Sequence, residues 1–231
     1  MKITKSEILN AIAGHFIKEH KIKVFMAKPE EANKKTYKLL AGKVVGKIFH
    51  DPKVDFDYEA YDRAGEILHG KLSMVNLYQH LGWESLKDDI IAAAEWGAKA
   101  VFVDPITNLT NGIEAANANV KLQEVAQDIS AMAMDLGLVC FLFCHLKAPL
   151  AGPDHEHGGS VLSSQFAGSR AMMRSCNYML GLEGDKTPEL PVIERNVRKL
   201  VLLEDREFGV TGKFPLYWDN KTSLFNEMKV G

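Results

Sequence analysis

No apolar run in this sequence reaches the roughly 18 residues that a membrane-spanning helix needs, so a helical integral membrane protein is not expected. The opening residues, "MKITKSEILNAIAGHFI", lack the continuous apolar stretch of a secretory signal, because polar positions interrupt them at helical spacing. A cytoplasmic protein is therefore expected. Three cysteines, Cys140, Cys144 and Cys176, are too few and of the wrong parity for a disulfide framework, and two lie inside an apolar segment. They read as reduced core residues. There is also no cationic excess: 28 Lys and Arg face 30 Asp and Glu, which argues against a protein that coats nucleic acid non-specifically. A local basic lining could still bind a strand. The last deficiency is glycine before Lys5-Ser6, a pair that looks like the end of a phosphate loop, G-x-x-x-x-G-K-[ST]. Only four residues precede Lys5, and Thr4 stands where the second glycine belongs. By itself, Lys-Ser here also reads as an ordinary helix start with Ser6 near the cap.

What is present is an alternation of two periods. Apolar residues at i, i+4 spacing (Ile8, Ile12, Phe16, with Leu9, Ala13, Ile17) predict a helix over about 6–19, and "IKVFMA" reads as a buried strand. A second helix is expected from Glu30 through Ile48, with Pro29 suited to its first turn. After the turn-rich "HDPKVDFD" come a helix near Tyr58 to Leu68, the strand-like "LSMVNLY", and a helix near Glu84 to Trp96. "KAVFVDP" and "GLVCFLFCHL" flank a long helix carrying Leu122, Val125, Ile129, Met132 and Leu136, a parallel βαβ unit. The expected fold is one α/β domain over residues 1–231, a mostly parallel sheet covered by helices on both faces, with ligands at the carboxyl ends of strands. The tail reads as strands joined by turns at Phe208 to Gly212 and Asp219 to Lys221, a C-terminal hairpin extension.

Several residues could carry chemistry. Asp104 ends an apolar strand, where a carboxylate can sit beside the Mg²⁺ of a bound nucleotide, although a strand-end aspartate also caps turns. Glu30, just past "KVFMA", could orient an attacking water, or it could simply favour a helix start. His145 closes another strand and could reach a terminal phosphate or a polar relay, although a lone strand-end histidine is more often structural. The long Gly-, Pro- and Ser-rich segment after it is of a length that is usually functional or disordered. His155, Glu156 and His157 lack the spaced partners of a metal shell. Arg206 could be a surface ion-pair partner or an arginine finger reaching a neighbouring subunit.

Taken in order, "TKSEILNAIAGHFI", "VFMAKPEEANKK", "VFVDPITNL", "FLFCHLKAP", "SSQFAGSRAMMRSCNYMLGLE" and "VLLEDREFGVTGKFPLYWDNKTSLF" resemble the motor domain of the hexameric DnaB-like replicative helicases. The resemblance is nearest to the phage helicase-primase and mitochondrial Twinkle branch. It implies a RecA-like P-loop NTPase core that hydrolyses ATP or another NTP with Mg²⁺ between ring subunits and moves single-stranded DNA. It makes Lys5 and Ser6 the end of Walker A, Glu30 the catalytic glutamate and Asp104 the Walker B carboxylate, with Ser6 and Asp104 serving Mg²⁺. It makes His145 the phosphate sensor, Arg206 the finger acting in trans, and places Tyr217 near the base-stacking aromatic. Residues 147–164 become the DNA-gripping loop, with Lys147, Ser160, Ser163 and Ser164 facing the strand. The implied partners are single-stranded DNA, identical subunits in a hexamer or heptamer, and a replisome's primase and polymerase. The sequence departs from the pattern in three places. The strand and glycines of Walker A are absent, Gly184 stands where some relatives carry an arginine, and the loop is acidic. Two other readings follow from these features: a RecA-like recombinase or related ATPase, and a non-catalytic nucleotide-fold module.

Overall fold

In the computed structural model, residues 5–75, 82–110, 113–166 and 174–228 are described. The chain runs α1 (Lys5–Lys18), β1 (Lys23–Ala27), α2 (Asn33–Val45), α3 (Tyr58–Leu68), β2 (Leu72–Met74), α4 (Trp83–Glu95), β3 (Ala98–Val103), α5 (Ala115–Leu136) and β4 (Val139–Leu142). These strands form a parallel sheet in the order β2-β1-β3-β4. Successive residues of a strand face opposite sides, and β1 shows the result. Phe25 and Ala27 join a core with α4 and α5, while Val24 and Met26 join a second core with α1, α2 and α3. Both faces are thus covered by apolar helix stripes, which is why β1 and β3 read as continuous hydrophobic runs. Leu9, Leu40, Leu86 and Ile90 are almost wholly buried, each contributing about 1.5–3 kcal/mol by transfer from water.

Helix α2 starts at Asn33, three residues later than the sequence predicts, and Pro29 lies in a turn instead of a first helical turn. The Glu31 N–H bonds back to the Lys28 carbonyl at 3.1 Å, and Ala32 is extended (φ −59°, ψ 135°), so the chain cannot enter the helix earlier. It ends at Val45, not Ile48, because Gly46 turns left-handed (φ 68°) and returns its N–H to the Gly42 carbonyl at 2.8 Å. Of "LSMVNLY", Leu72–Met74 is a strand, and residues 76–78 lie outside the described part.

The C-terminal hairpin belongs to a larger unit. β5 (Tyr178–Glu183), β6 (Val197–Asp205), β7 (Gly212–Asp219) and β8 (Leu224–Glu227) form an antiparallel sheet in chain order. A buried ionic contact ties it to the helices: Lys43 Nζ meets Glu7 Oε2 at 2.6 Å, donates to the Ser223 carbonyl, and lies 4.1 Å from the Trp218 ring centroid. Burial holds the Lys43 amine below its ordinary pKa, although Glu7 opposes that shift. Trp218 is fully buried, edge-on to Phe225 at 4.9 Å.

Candidate functional site

The carboxyl ends of β1, β3 and β4 converge. Asp104 follows β3 directly, its N–H bonded to the Ala27 carbonyl at 2.9 Å, which fixes the carboxylate at the sheet's end, 4% exposed. The first turn of α1 meets it there. Ser6 Oγ donates to Asp104 Oδ2 at 3.2 Å, and Lys5 Nζ lies 2.8 Å from Oδ1. Asn10, wholly buried, donates Nδ2 to the Ser6 carbonyl at 2.8 Å and steadies that turn. The Lys5–Asp104 contact is an ion pair without hydrogen-bond alignment. Lys5 Nζ and Asp104 Oδ1 are both buried and lack a hydrogen-bond partner among the described residues. Their charges answer each other across 2.8 Å, an ion pair that an incoming ligand would have to replace. The donor set fits a phosphate with a divalent cation: an ammonium for phosphate oxygens, and a hydroxyl and a carboxylate for the hard metal.

Beside this group, His145 Nε2 stands 3.7 Å from Glu30 Oε1, both side chains about half exposed. The Phe143 N–H bonds to the Val103 carbonyl at 2.9 Å, which continues the β3–β4 pairing and delivers His145 to the same end of the sheet. Sequence reasoning missed what holds Glu30 there. Lys28, 3% exposed, pairs with Glu31 Oε1 at 2.6 Å, while Thr36 Oγ1 donates to that oxygen at 2.8 Å and Lys35 reaches Oε2 at 2.9 Å. Burial pushes the Glu31 carboxyl up, but Lys28, Lys35 and Thr36 outweigh it and leave the pKa lowered. The Glu31/Lys35 spacing of four was the available signal.

The segment after His145 is pinned at both ends. Leu146 bridges to Phe166, the Lys147 N–H bonds to the Gln165 carbonyl at 2.7 Å, and His157 bridges to Asp185 beyond β5. Val161 N–H donates to Glu183 Oε1 at 3.0 Å, and Lys186 pairs with Glu156 at 3.0 Å. Lys147, Ser160 and Ser164 are exposed on this loop and Ser163 is partly so. No cluster of His, Cys, Asp or Glu suited to a metal occurs among the described residues. Burial pushes the Cys140 thiol up to about 11, in keeping with an inert cysteine, although all three cysteines are only partly buried.

Arg206 stands apart from these groups. It is exposed in the turn after β6, and its Nη1 donates to the Arg174 carbonyl at 2.5 Å. Among the described residues nothing joins it to Lys5, Ser6 or Asp104. Tyr217 lies on β7, partly buried, opposite Val197 and Asn226. Gly184 has a local reason: a Cβ there would fall 2.5 Å from Cδ of Arg198, whose buried guanidinium bonds to the Arg195 and Val197 carbonyls.

Known proteins share part of this sequence and this fold. The chain is 26% identical over 116 residues to a DNA helicase/primase of Enterobacteria phage T3, a match covering 50% of this chain and 20% of that protein. Among solved structures, one described as an ATPase domain superposes with a TM-score of 0.79 at 15% identity, covering 97% of this chain and 81% of that one. A DnaB-like replicative helicase, described with its interactions with primase, gives 0.75 at 13% identity, covering 99% and 56%. A KaiC-like protein of Pyrococcus horikoshii gives 0.61 at 15% identity, covering 98% and 86%. No protein-family model matches the chain. The fold is that of RecA-like ATPase domains.

Proposed function

We propose that the chain is the motor domain of a DnaB-like replicative DNA helicase, with a nucleoside triphosphate site at the carboxyl ends of β1, β3 and β4. The meeting of Lys5, Ser6 and the buried Asp104 carboxylate at the end of β3 carries this reading. Mg²⁺-ATP, when bound, supplies the phosphoanhydride whose hydrolysis drives movement. Lys5 would neutralise phosphate charge, and Ser6 and Asp104 would hold the metal directly or through water. Glu30 would orient the attacking water, and His145, paired to Glu30, would report the phosphate state to the loop that begins at Lys147. Lys147, Ser160, Ser163 and Ser164 would then hold the backbone of single-stranded DNA.

A phosphate site of this kind needs backbone amides from a turn before α1, and crossover handedness favours one position for a strand that carried them. Crossovers between parallel strands are right-handed. The β1-to-β2 connection passes over the α1/α2/α3 face and moves away from β4. A strand entering α1 on that same face would reach β1 from the opposite side, against the outer edge of β4. That edge is suited to it: Val139 is 54% exposed and the rest of β4 only half-buried, whereas β1 and β3 are buried apart from Lys23 and Lys99.

Arg206 would act on the nucleotide of a neighbouring subunit in a ring of six or seven, which accounts for its distance from Lys5 and Asp104, and Tyr217 would lie near the base. Primase and polymerase are the partners this reading implies. A recombinase-like ATPase shares the core, and a non-catalytic module would keep the fold without turnover. Measuring Mg²⁺-ATP binding and single-strand-stimulated hydrolysis for the chain, alone and joined to a strand with a G-x-x-x-x-G turn before Lys5, tests the proposal. Stimulated turnover in the joined protein supports the motor. Nucleotide binding without turnover in both would favour the non-catalytic module.

A further inference from the structure

A cationic feature outside the proposed DNA loop lies at the amino end of α2. A concavity of about 280 Å³ there is lined by Ala32, Lys34, Lys35, Lys38 and His50. Helices ordinarily place carboxylates in their first turn, where the positive end of the dipole favours them. α2 has no acidic residue in its first turn, and Ala32 offers no side-chain cap. It presents Lys34 and Lys35 instead, with Lys38 one turn further along the same face. Residues 33–53 hold six lysines and one carboxylate, Asp51, in a chain whose net charge is −2.

Two of the nearby carboxylates are already engaged, and Asp51 accepts the Lys53 N–H at 2.9 Å. Glu31 divides itself between Lys28 and Lys35, and Asp57 pairs with Lys47 at 3.1 Å. Lys34 and Lys38 have no ion-pair partner among the described residues, and Lys38 is left with the Phe56 ring, 5.4 Å from its amine. His50 borders the concavity, half-buried, and burial first, then Lys43 and Lys35, keeps its imidazole toward the neutral form against Glu7 and Asp51. A neutral ring can donate a hydrogen bond to an anion and gains charge when one arrives. The concavity is open along the helix, and lysines one helical turn apart, about 5–6 Å, suit a charged polymer crossing the mouth better than an enclosed small molecule.

We propose that this concavity is a second nucleic-acid contact, in which Lys34 and Lys38 hold backbone phosphates of a single strand and His50 donates to one of them. The contact requires no ATP hydrolysis, so its failure and that of the motor reading are separable. The test is binding of a fluorescent oligothymidylate across a salt series. Lys34→Gln with Lys38→Gln should weaken binding roughly tenfold and reduce the log–log salt slope by about 1.4, that is about 0.7 per lost contact on a single strand. Lys34→Arg with Lys38→Arg should keep both, and oligothymidylate should shift the His50 imidazole resonances of the unaltered chain. Three results would overturn the proposal. One is an unchanged slope and affinity in the glutamine variant. Another is an equal loss from Lys18→Gln with Lys121→Gln, two lysines outside the concavity, which would leave only net charge. The third is His50 resonances that respond to inorganic pyrophosphate but not to the oligonucleotide, which would make it a small-anion pocket.

Discussion

Ser6 donates its hydroxyl to Asp104 across 98 positions of sequence, at 3.2 Å, with Lys5 on the same carboxylate at 2.8 Å. Two residues that mean little separately form one polar site at the end of a buried strand. Lys5→Ala should weaken Mg²⁺-ATP binding by about 10- to 100-fold, the loss of one or two charge-assisted hydrogen bonds. Calorimetric titration of both proteins checks this. The chain without a glycine turn before Lys5 should show weak or absent turnover, and DNA-stimulated hydrolysis that disappears with Lys5→Ala would contradict that expectation.

For the chain joined to a strand with a G-x-x-x-x-G turn before Lys5, Arg206→Ala should abolish hydrolysis while leaving nucleotide binding nearly intact. The side chain touches the Arg174 carbonyl and not its own Asp104 group, so its loss removes nothing from binding within one subunit. Paired turnover and nucleotide-binding measurements decide it. Undiminished turnover would remove Arg206 from the mechanism.

Glu31→Gln should destabilise the chain at neutral pH by about 1–3 kcal/mol, because it leaves the buried Lys28 ammonium without its charge partner. The sign with pH follows from the lowered Glu31 pKa. Its stabilisation is fully present above the unfolded-state value, about 4.3, and is lost as pH falls through the lower folded value. Urea unfolding of wild type and variant should therefore converge in acid, and a gap independent of pH would show that the charge is not responsible.

Lys43→Met should cost about 3–5 kcal/mol, since it strands Glu7 as a buried charge between the helices and the antiparallel sheet. The double change Glu7→Gln with Lys43→Met should cost less than the single one. Chemical unfolding of the three variants tests the coupling.

Gly159→Ala should disturb the proposed DNA loop while sparing the sheet. A Cβ there would lie 2.2 Å from the Pro153 carbonyl oxygen and 2.6 Å from that of Asp154, backbone atoms that cannot move independently. Oligonucleotide affinity should fall severalfold with unchanged far-ultraviolet dichroism, at a cost of about 1–3 kcal/mol in stability.

The helices and strands of the parallel sheet were largely legible, because periods of 3.6 and runs of β-branched or aromatic residues report burial locally. Asp104 could be placed at a strand end for the same reason and Glu30 just past one, whereas His145 lies three residues beyond the end of β4 instead of closing it. The start of α2 was misread because the Lys28–Glu31 turn depends on a buried ion pair and on Thr36 from the following helix. β5 was not predicted, since "YMLGLE" gains its meaning from pairing with β6, and the need for glycine at 184 comes from Arg198 on that neighbouring strand. The sequence by itself determined the local elements and the order of polar residues that end them. Only the tertiary structure decided that Lys5, Ser6 and Asp104 share one buried point, that Glu30 meets His145, and that Arg206 meets neither. Those distances are set by strand order and by which face each helix covers, and no local pattern encodes them.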